Sequence, residues 1–298
     1  MKQKLTIATR GSKLAIRQSE IVKQYLIAKI PGLKVEFLVV TTQGDIDQKT
    51  ALIDFANKGV FVKGLEEKLL SGEADLAVHS LKDVPSEMHP DLVLASFPER
   101  EDERDVLVTS GNIHWSALKP GSIIGTCSPA RKEQLKFLKP DLVFKDIRGN
   151  VETRVQKVLN KEFDGTILAA AGLKRLGNKI DEKSYFTLDE MVPSPGQGAL
   201  VVQVNKNNAD VFDMVRKINN DKVERQVNAE REFMNIIGGG CRFPVAAHAE
   251  IKENEVNFRA IAFKPGFKKL EKTTVKTTEN NLSACAKSEA RRIISKYS

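Results

Sequence analysis

Cysteine is scarce in this chain. The 298 residues contain three, Cys127, Cys241 and Cys285, far apart and odd in number. They form no Cys-x-x-Cys pair and suggest no disulfide framework, so a reducing cytoplasm is the default expectation. With four scattered histidines they make a poor metal site, and no metal is expected. Aromatic residues are sparse too, at 6%, and Trp115 is the sole tryptophan. A nucleic-acid surface usually interleaves aromatics with a basic stripe, so no nucleic-acid partner is expected. No apolar run approaches the roughly 20 residues that cross a bilayer. The opening "MKQKLTIATRGSKLA" has a basic start but no apolar stretch before a small-residue cleavage site. Neither a signal peptide nor a membrane partner is expected from it.

What the chain does have is positive charge in single, spaced doses. The net charge is +8, with 41% hydrophobic and 29% charged residues, an ordinary globular composition long enough for two or three domains. The charge favours anions in general. The arginines sit one at a time at the ends of predicted elements, which suits a pocket for small anions better than a groove for a polymer.

The pattern predicts a strand at "KLTIATR" (4–10), then a helix capped by Ser12 with an apolar face through Leu14, Ile21, Val22, Tyr25 and Leu26, stopped by Pro31-Gly32. A strand at 34–42, a helix at 60–70 and a buried strand "ADLAVHS" (74–80) follow. This β-α-β-α-β order argues for a mostly parallel sheet. It restarts near residue 100: strand "SIIGT", a helix opened by Ser128-Pro129, strand "DLVFKDI", a helix capped by Asn150, strand "GTILAAA" and a short helix "GLKRL". The charged "PEREDERD" (98–105) and the Pro/Gly-rich "MVPSPGQGALVV" (191–202) read as the two crossings between domains. After about 217 the chain reads as a long helix, a glycine loop, a few strands and a closing helix. The expectation is two similar α/β domains, 1–97 with 194–216 and 98–193, plus a smaller α+β domain at 217–298.

Five arginines recur just after strands or in first helical turns: Arg10, Arg131, Arg148, Arg154 and Arg175. In doubly wound sheets the C-terminal strand ends form the ligand crevice, helix N-termini add partial positive charge, and Arg grips carboxylate or phosphate bidentately. Singly, each reads equally as a solvated surface residue. In "HSLKDVP" (79–85), Lys82 and Asp83 follow a buried strand; Asp83 is either a general acid/base or a turn residue bonding its own backbone. His79 reads as a satisfied core histidine. "SPGQGAL" (194–200) lacks the Lys-Ser/Thr of a P-loop and reads first as a tight turn. In "GGGCRFPVA" (238–246) three glycines present Cys241 with Arg242 behind it, a setting that favours thiolate. Alone, it is a nucleophile, a redox thiol, an attachment point or an idle loop thiol.

Together these segments stop being independent. "IATRGSKLA", "KGVFVKGLE", "ADLAVHSLKDVP", "GTCSPAR", "IRGNVETR", "ILAAAGLKRLG", "PSPGQGAL" and "GGGCRFPVA" resemble, in order and spacing, the porphobilinogen deaminase (hydroxymethylbilane synthase) family over nearly the whole chain. The resemblance implies two α/β domains similar to periplasmic binding proteins, with the cysteine on a third. It implies a transferase that joins four porphobilinogens head to tail into hydroxymethylbilane, releasing ammonia, for haem and other tetrapyrroles. By resemblance Cys241 holds a dipyrromethane cofactor through a thioether. Asp83 is the catalytic carboxylate. Ser12, Lys82, Asp83, Arg131 and Arg148 bind the cofactor, and Arg10, Arg148, Arg154 and Arg175 bind substrate carboxylates. The family implies a cytoplasmic monomer that passes its product to uroporphyrinogen-III synthase. One departure stands out: the usual pattern after "GT" ends in two arginines, and here Ala130 takes the first place. Ala130→Arg is therefore expected to tighten binding, with Lys132 as partial substitute. A binding protein that kept the clamshell without catalysis explains the arginines, but not a glycine-loop thiol together with a strand-end Lys-Asp.

Overall fold

The computed structural model describes residues 2–42, 62–238, 244–253, 255–263 and 270–296. In chain order, the first elements are β1 (Lys4–Arg10), α1 (Lys13–Lys29), β2 (Lys34–Val40), α2 (Lys63–Leu70), β3 (Leu76–Ser80) and β4 (Leu92–Ser96). Then come β5 (Asp105–Val108), β6 (Ile123–Gly125), α3 (Pro129–Leu138), β7 (Val143–Lys145), α4 (Val151–Leu159), β8 (Gly165–Ala169) and α5 (Ala170–Arg175). The chain continues through β9 (Leu200–Asn205), α6 (Ala209–Arg216), α7 (Asp221–Ile237), β10 (Val245–Lys252), β11 (Glu255–Ala262), β12 (Glu271–Thr277) and α8 (Leu282–Ser295). Two compact units result: residues 1–101 with 199–224, and residues 102–198 with 225–298. Among the described residues no helix is long and apolar enough to cross a membrane.

The first unit is built on a sheet of order β2-β1-β3-β9-β4. β1 runs parallel to both β2 and β3, whereas β9 is antiparallel to β3 and β4. The parallel strands are buried on both faces and read as nearly continuous apolar runs, as "LTIAT" and "LAVHS" do. Leu5, Ile7, Leu76, Val202 and Val204 pack there against Val22 and Leu26 of α1 and Met214 of α6. α1 buries Val22 and Leu26 of the expected face, with Ile21 packed against the same core, and adds Gln18 and Ser19; Tyr25 is instead exposed, its hydroxyl donating to Glu99. The spacing 18-22-26 is the helical stripe, and a buried glutamine hid its first step.

The second unit carries a sheet of order β5-β8-β6-β7, with β6 parallel to β7 and β8 and β5 antiparallel to β8. β7 is shorter than expected from "DLVFKDI", and β8 stops at Ala169. Ala170 and Ala171 enter α5 instead, because alanine is the best helix former and loses little by leaving the strand. The same unit holds an antiparallel sheet, β10-β11-β12. Its core joins Phe233 of α7, Phe258 of β11 and Ala286, Ala290 and Ile293 of α8. The two phenylalanine rings meet edge to face at 5.8 Å, an arrangement worth ~0.5–1.5 kcal/mol beyond area burial.

Candidate functional site

Because β1 and β3 run parallel, their C-terminal ends lie on one edge of the first sheet. Arg10 closes β1, and Ser12 caps α1, its Oγ accepting from the Ala15 amide at 3.2 Å. At the end of β3 the chain makes a single 3-10 turn, Leu81–Asp83. Leu81 is wholly buried and its amide donates to the Ala199 carbonyl at 3.0 Å. Val84, held extended before Pro85, ends the turn. With Leu81 driven inward, Lys82 is left half-buried and Asp83 exposed. Gln18, buried on α1, donates to Ser80 Oγ at 2.7 Å and pins the strand end just before the turn.

Below this edge His79 is buried and faces Gln203 Oε1 through Nε2 at 3.0 Å. Gln203 Nε2 donates to Glu66, so its oxygen is the acceptor and His79 carries the proton on Nε2. Burial brings the imidazole down to about 4, with the Arg10 charge acting the same way against the Gln203 bond. His79 is thus a neutral core histidine, as its position suggested, and Arg10 lies within electrostatic reach of it.

The second unit repeats the logic. β6, β7 and β8 are parallel, and the segments after β6 and β7 share an edge. Gly125 ends β6, where a Cβ would come within 2.9 Å of Ile147. Thr126 Oγ1 accepts the Ser128 amide at 3.1 Å, and Ser128 caps α3, with Pro129 at its first position. After β7 comes Arg148-Gly149-Asn150. Gly149 has φ +104°, and a Cβ there would sit 2.6 Å from Thr153, so only glycine fits. Asn150 Oδ1 takes both the Thr153 amide and its hydroxyl at 2.9 Å. Arg154, one turn into α4, donates from Nε to the Gly149 carbonyl at 2.8 Å. Arg148 and Arg154 are half-buried beside the α4 N-terminus, whose dipole adds to their pull on anions. Both act electrostatically on Cys127, which places them around that thiol. Arg175 Nη2 donates to the Gly198 carbonyl at 2.8 Å.

Arg131 is used differently from an open anion receptor. Its Nη2 lies 2.6 Å from Asp105 Oδ1 and its Nε 3.2 Å from Oδ2, while Nη1 donates to the Ile167 carbonyl and Nη2 also to Gln197 Oε1. Asp105 and Gln197 are buried, and Gln197 Nε2 donates to Asp105 and to the Glu103 carbonyl, each at 2.7 Å. Gly196 and Gly198 flank that glutamine at φ +75° and +84°, so "PGQG" is the tight turn expected. Ala130 is buried, and this revises the Ala130→Arg expectation: a longer side chain must displace its neighbours before it tightens anything. Lys132 is exposed on the next step of α3.

Burial pushes the Cys127 thiol up, helped by Asp146, and its Sγ donates to the Ile147 carbonyl at 3.1 Å; burial also pushes Cys285 up. Neither is a ready thiolate. Cys241 and Arg242 lie outside the described residues. Among the described residues, no group of three or more His, Cys, Asp or Glu side chains is arranged to hold a metal. The structure thus gathers Arg10, Ser12, Lys82 and Asp83 on the first unit and Arg148 with Arg154 on the second, and turns Arg131 inward. Sequence reasoning missed Gln18, Asp105 and Gln197 as parts of these edges; Asp105 and Gln197 lie 26 and 66 residues from Arg131, too far for local pattern to link them.

Two family profiles match the chain. "Porphobilinogen deaminase, dipyromethane cofactor binding domain" covers residues 5–213 and "Porphobilinogen deaminase, C-terminal domain" covers 224–294. The porphobilinogen deaminase of Sulfurimonas denitrificans is 43% identical over 262 residues, covering 87% of this chain and 83% of that protein. That of a Nitratiruptor species is 41% identical over 294 residues, 98% and 93% of the two chains. Among solved structures, the periplasmic VFT2 domain of Bordetella pertussis BvgS is similar over 74% of this chain and 90% of its own, with TM-score 0.44 and 16% identity.

Proposed function

The chain belongs to the porphobilinogen deaminase family, and from that premise we infer how its strand-end residues divide the work of the reaction. The chain is a transferase of tetrapyrrole biosynthesis. It joins four porphobilinogens head to tail into hydroxymethylbilane, releases ammonia and uses a dipyrromethane cofactor.

The residues present fit that cofactor. It needs a thiol and counter-charges for its carboxylates. Cys241 is assigned to the thioether by the family's pattern, and burial, which pushes the Cys127 and Cys285 thiols up, makes those two the poorer nucleophiles. When bound, the cofactor supplies a covalent primer with a nucleophilic pyrrole carbon at its free end. Ser12, Lys82 and Arg148 are assigned to its polar groups, and Arg10, Arg148, Arg154 and Arg175 to the acetate and propionate of substrate, since guanidinium grips carboxylate in a fork. Arg131 acts on the cofactor from a fixed position, its fork held by Asp105.

Asp83 is the proton carrier, and its exposure at the tip of the 3-10 turn is the observation that carries this reading. In each cycle a proton is needed on the departing amine nitrogen, and a proton is released from the pyrrole carbon that forms the new bond. The two balance, so one carboxylate gives and recovers one proton per ring added. Asp83 also offers an oxygen to a pyrrole N–H while positive charge develops there.

We further assign residues 1–97 with 194–216, 98–193 and 217–298 to three domains. The break between the two profiles and the separate core of Phe233 and Phe258 support this. A monomer in the cytoplasm, handing its product to uroporphyrinogen-III synthase, completes the proposal. The test is intact mass of the denatured protein with ammonia release from porphobilinogen. The parent should carry a dipyrromethane adduct that Cys241→Ala loses together with activity. An adduct on Cys127 or Cys285, or activity in Cys241→Ala, overturns the assignment.

A further inference from the structure

β10 is an edge strand, bonded to β11 along one side only. Its other side is taken up within the second unit. The Ala247 amide donates to the Pro193 carbonyl at 3.2 Å and the Ala249 amide to Glu230 Oε1 at 2.8 Å. Between these two lies His248, fully buried, with Nε2 2.9 Å from Glu103 Oε1. A carboxylate only accepts, so Nε2 carries the proton and donates. Among the described residues, Nδ1 is buried without a hydrogen-bond partner.

The apolar part of this contact is small: Val192, Ala246 and Ile261, with Leu270 against them. Such apolar surfaces set no register, because burial is non-directional. Register is set by the polar contacts: the ladder to β11, the Ala247 and Ala249 amide bonds, and the His248–Glu103 bond, which a one-residue shift of β10 would break by turning His248 to the opposite face. The line continues past Glu103. Its carbonyl takes Gln197 Nε2, Gln197 bonds Asp105, and Asp105 holds Arg131.

We propose that Glu103 and His248 are positioning residues of the transferase, fixing β10 on the same buried line that holds Arg131. The inference rests on the reading of Cys241 as attachment site, which lies seven positions before His248 in the chain. The chain from Cys241 to Val245 spans at most ~14 Å, so where β10 is seated bounds where the thiol is offered.

The test uses the full-length, cofactor-loaded protein, with loading measured by intact mass. Glu103→Ala and His248→Ala should load fully, lower kcat about ten-fold and leave KM within about two-fold, below the ~10²-fold that a 1 Å misplacement can cost. His248→Gln, which keeps a donor near the Nε2 position, should restore most of kcat. The double variant should be no worse than the poorer single one. Amide exchange at Ala247 and Ala249 should quicken in the Ala variants and not in His248→Gln. Should His248→Ala fail to fold, Glu103→Ala at a partly exposed position carries the same readouts. Unchanged kcat in Glu103→Ala, or a fall in kcat without faster exchange, overturns the proposal. A parent protein with no adduct on Cys241 overturns the attachment reading instead, and the exchange result still judges the pair.

Discussion

Asp83 is exposed while its neighbour Leu81 is fully buried, so Asp83→Asn should leave the fold intact and remove only the proton chemistry. A loss of ~10²–10⁴ in kcat is expected. Turnover within a few-fold of the parent, with an unchanged urea midpoint, would make Asp83 a turn residue only. The arginines should separate by the same kind of measurement. Arg131→Ala strands a buried carboxylate on Asp105, and should cost about 3–5 kcal/mol of stability. Arg148→Ala, at a half-buried position beyond the end of β7, should raise KM for porphobilinogen and barely move the unfolding midpoint. If the two behave alike, the division between holding and receiving fails. The arginine positions were legible because strand ends and caps are local signals. What each guanidinium touches was not, because Asp105 and Gln197 come from distant stretches.

At the level of elements, the caps read directly: Ser12, Ser128 and Asn150 each accept an amide three residues on, and Pro129 opens α3. Boundaries drifted where a residue served two patterns, as Ala170 and Ala171 did between β8 and α5. β3 carries a consequence for acid stability. His79 binds its proton near pH 6.5 when unfolded but only near about 4 within the strand. Between those values the unfolded chain holds more protons, so stability rises with pH across the window and is lost as pH falls from about 6.5 to 4. The full effect is on the order of 3 kcal/mol. Urea titrations of the parent and His79→Gln should diverge in slope across that range. Parallel curves would mean that His79 is not the group responsible.

For the whole molecule, the α/β class was legible in the repeated strand-helix order, and the tight turn in "PSPGQG". The antiparallel placement of β9 was not, since nothing in "LVVQVN" states its direction. Cofactor attachment should register at this scale. A ligand held only by the folded form stabilises it, so Cys241→Ala should melt below the loaded parent. Equal melting temperatures would show that the tethered group makes no contacts worth measuring. The place of β9 has a further consequence, one of timing. It lies between β3 and β4, yet 97 residues of the second unit, Asp102–Gly198, are translated before it. At ~5–20 residues per second the ribosome takes roughly 5–20 s over that stretch. Throughout it, the facing edges of β3 and β4 have no strand to pair with. A fragment ending at Glu101 should therefore stay open and recruit a chaperone or aggregate. A permuted gene that places residues 199–224 ahead of Met1 should close the first sheet early and reduce that demand. Nascent chains arrested at residue 101 and probed by protease would show the difference: rapid digestion of the natural order and protection of the permuted one.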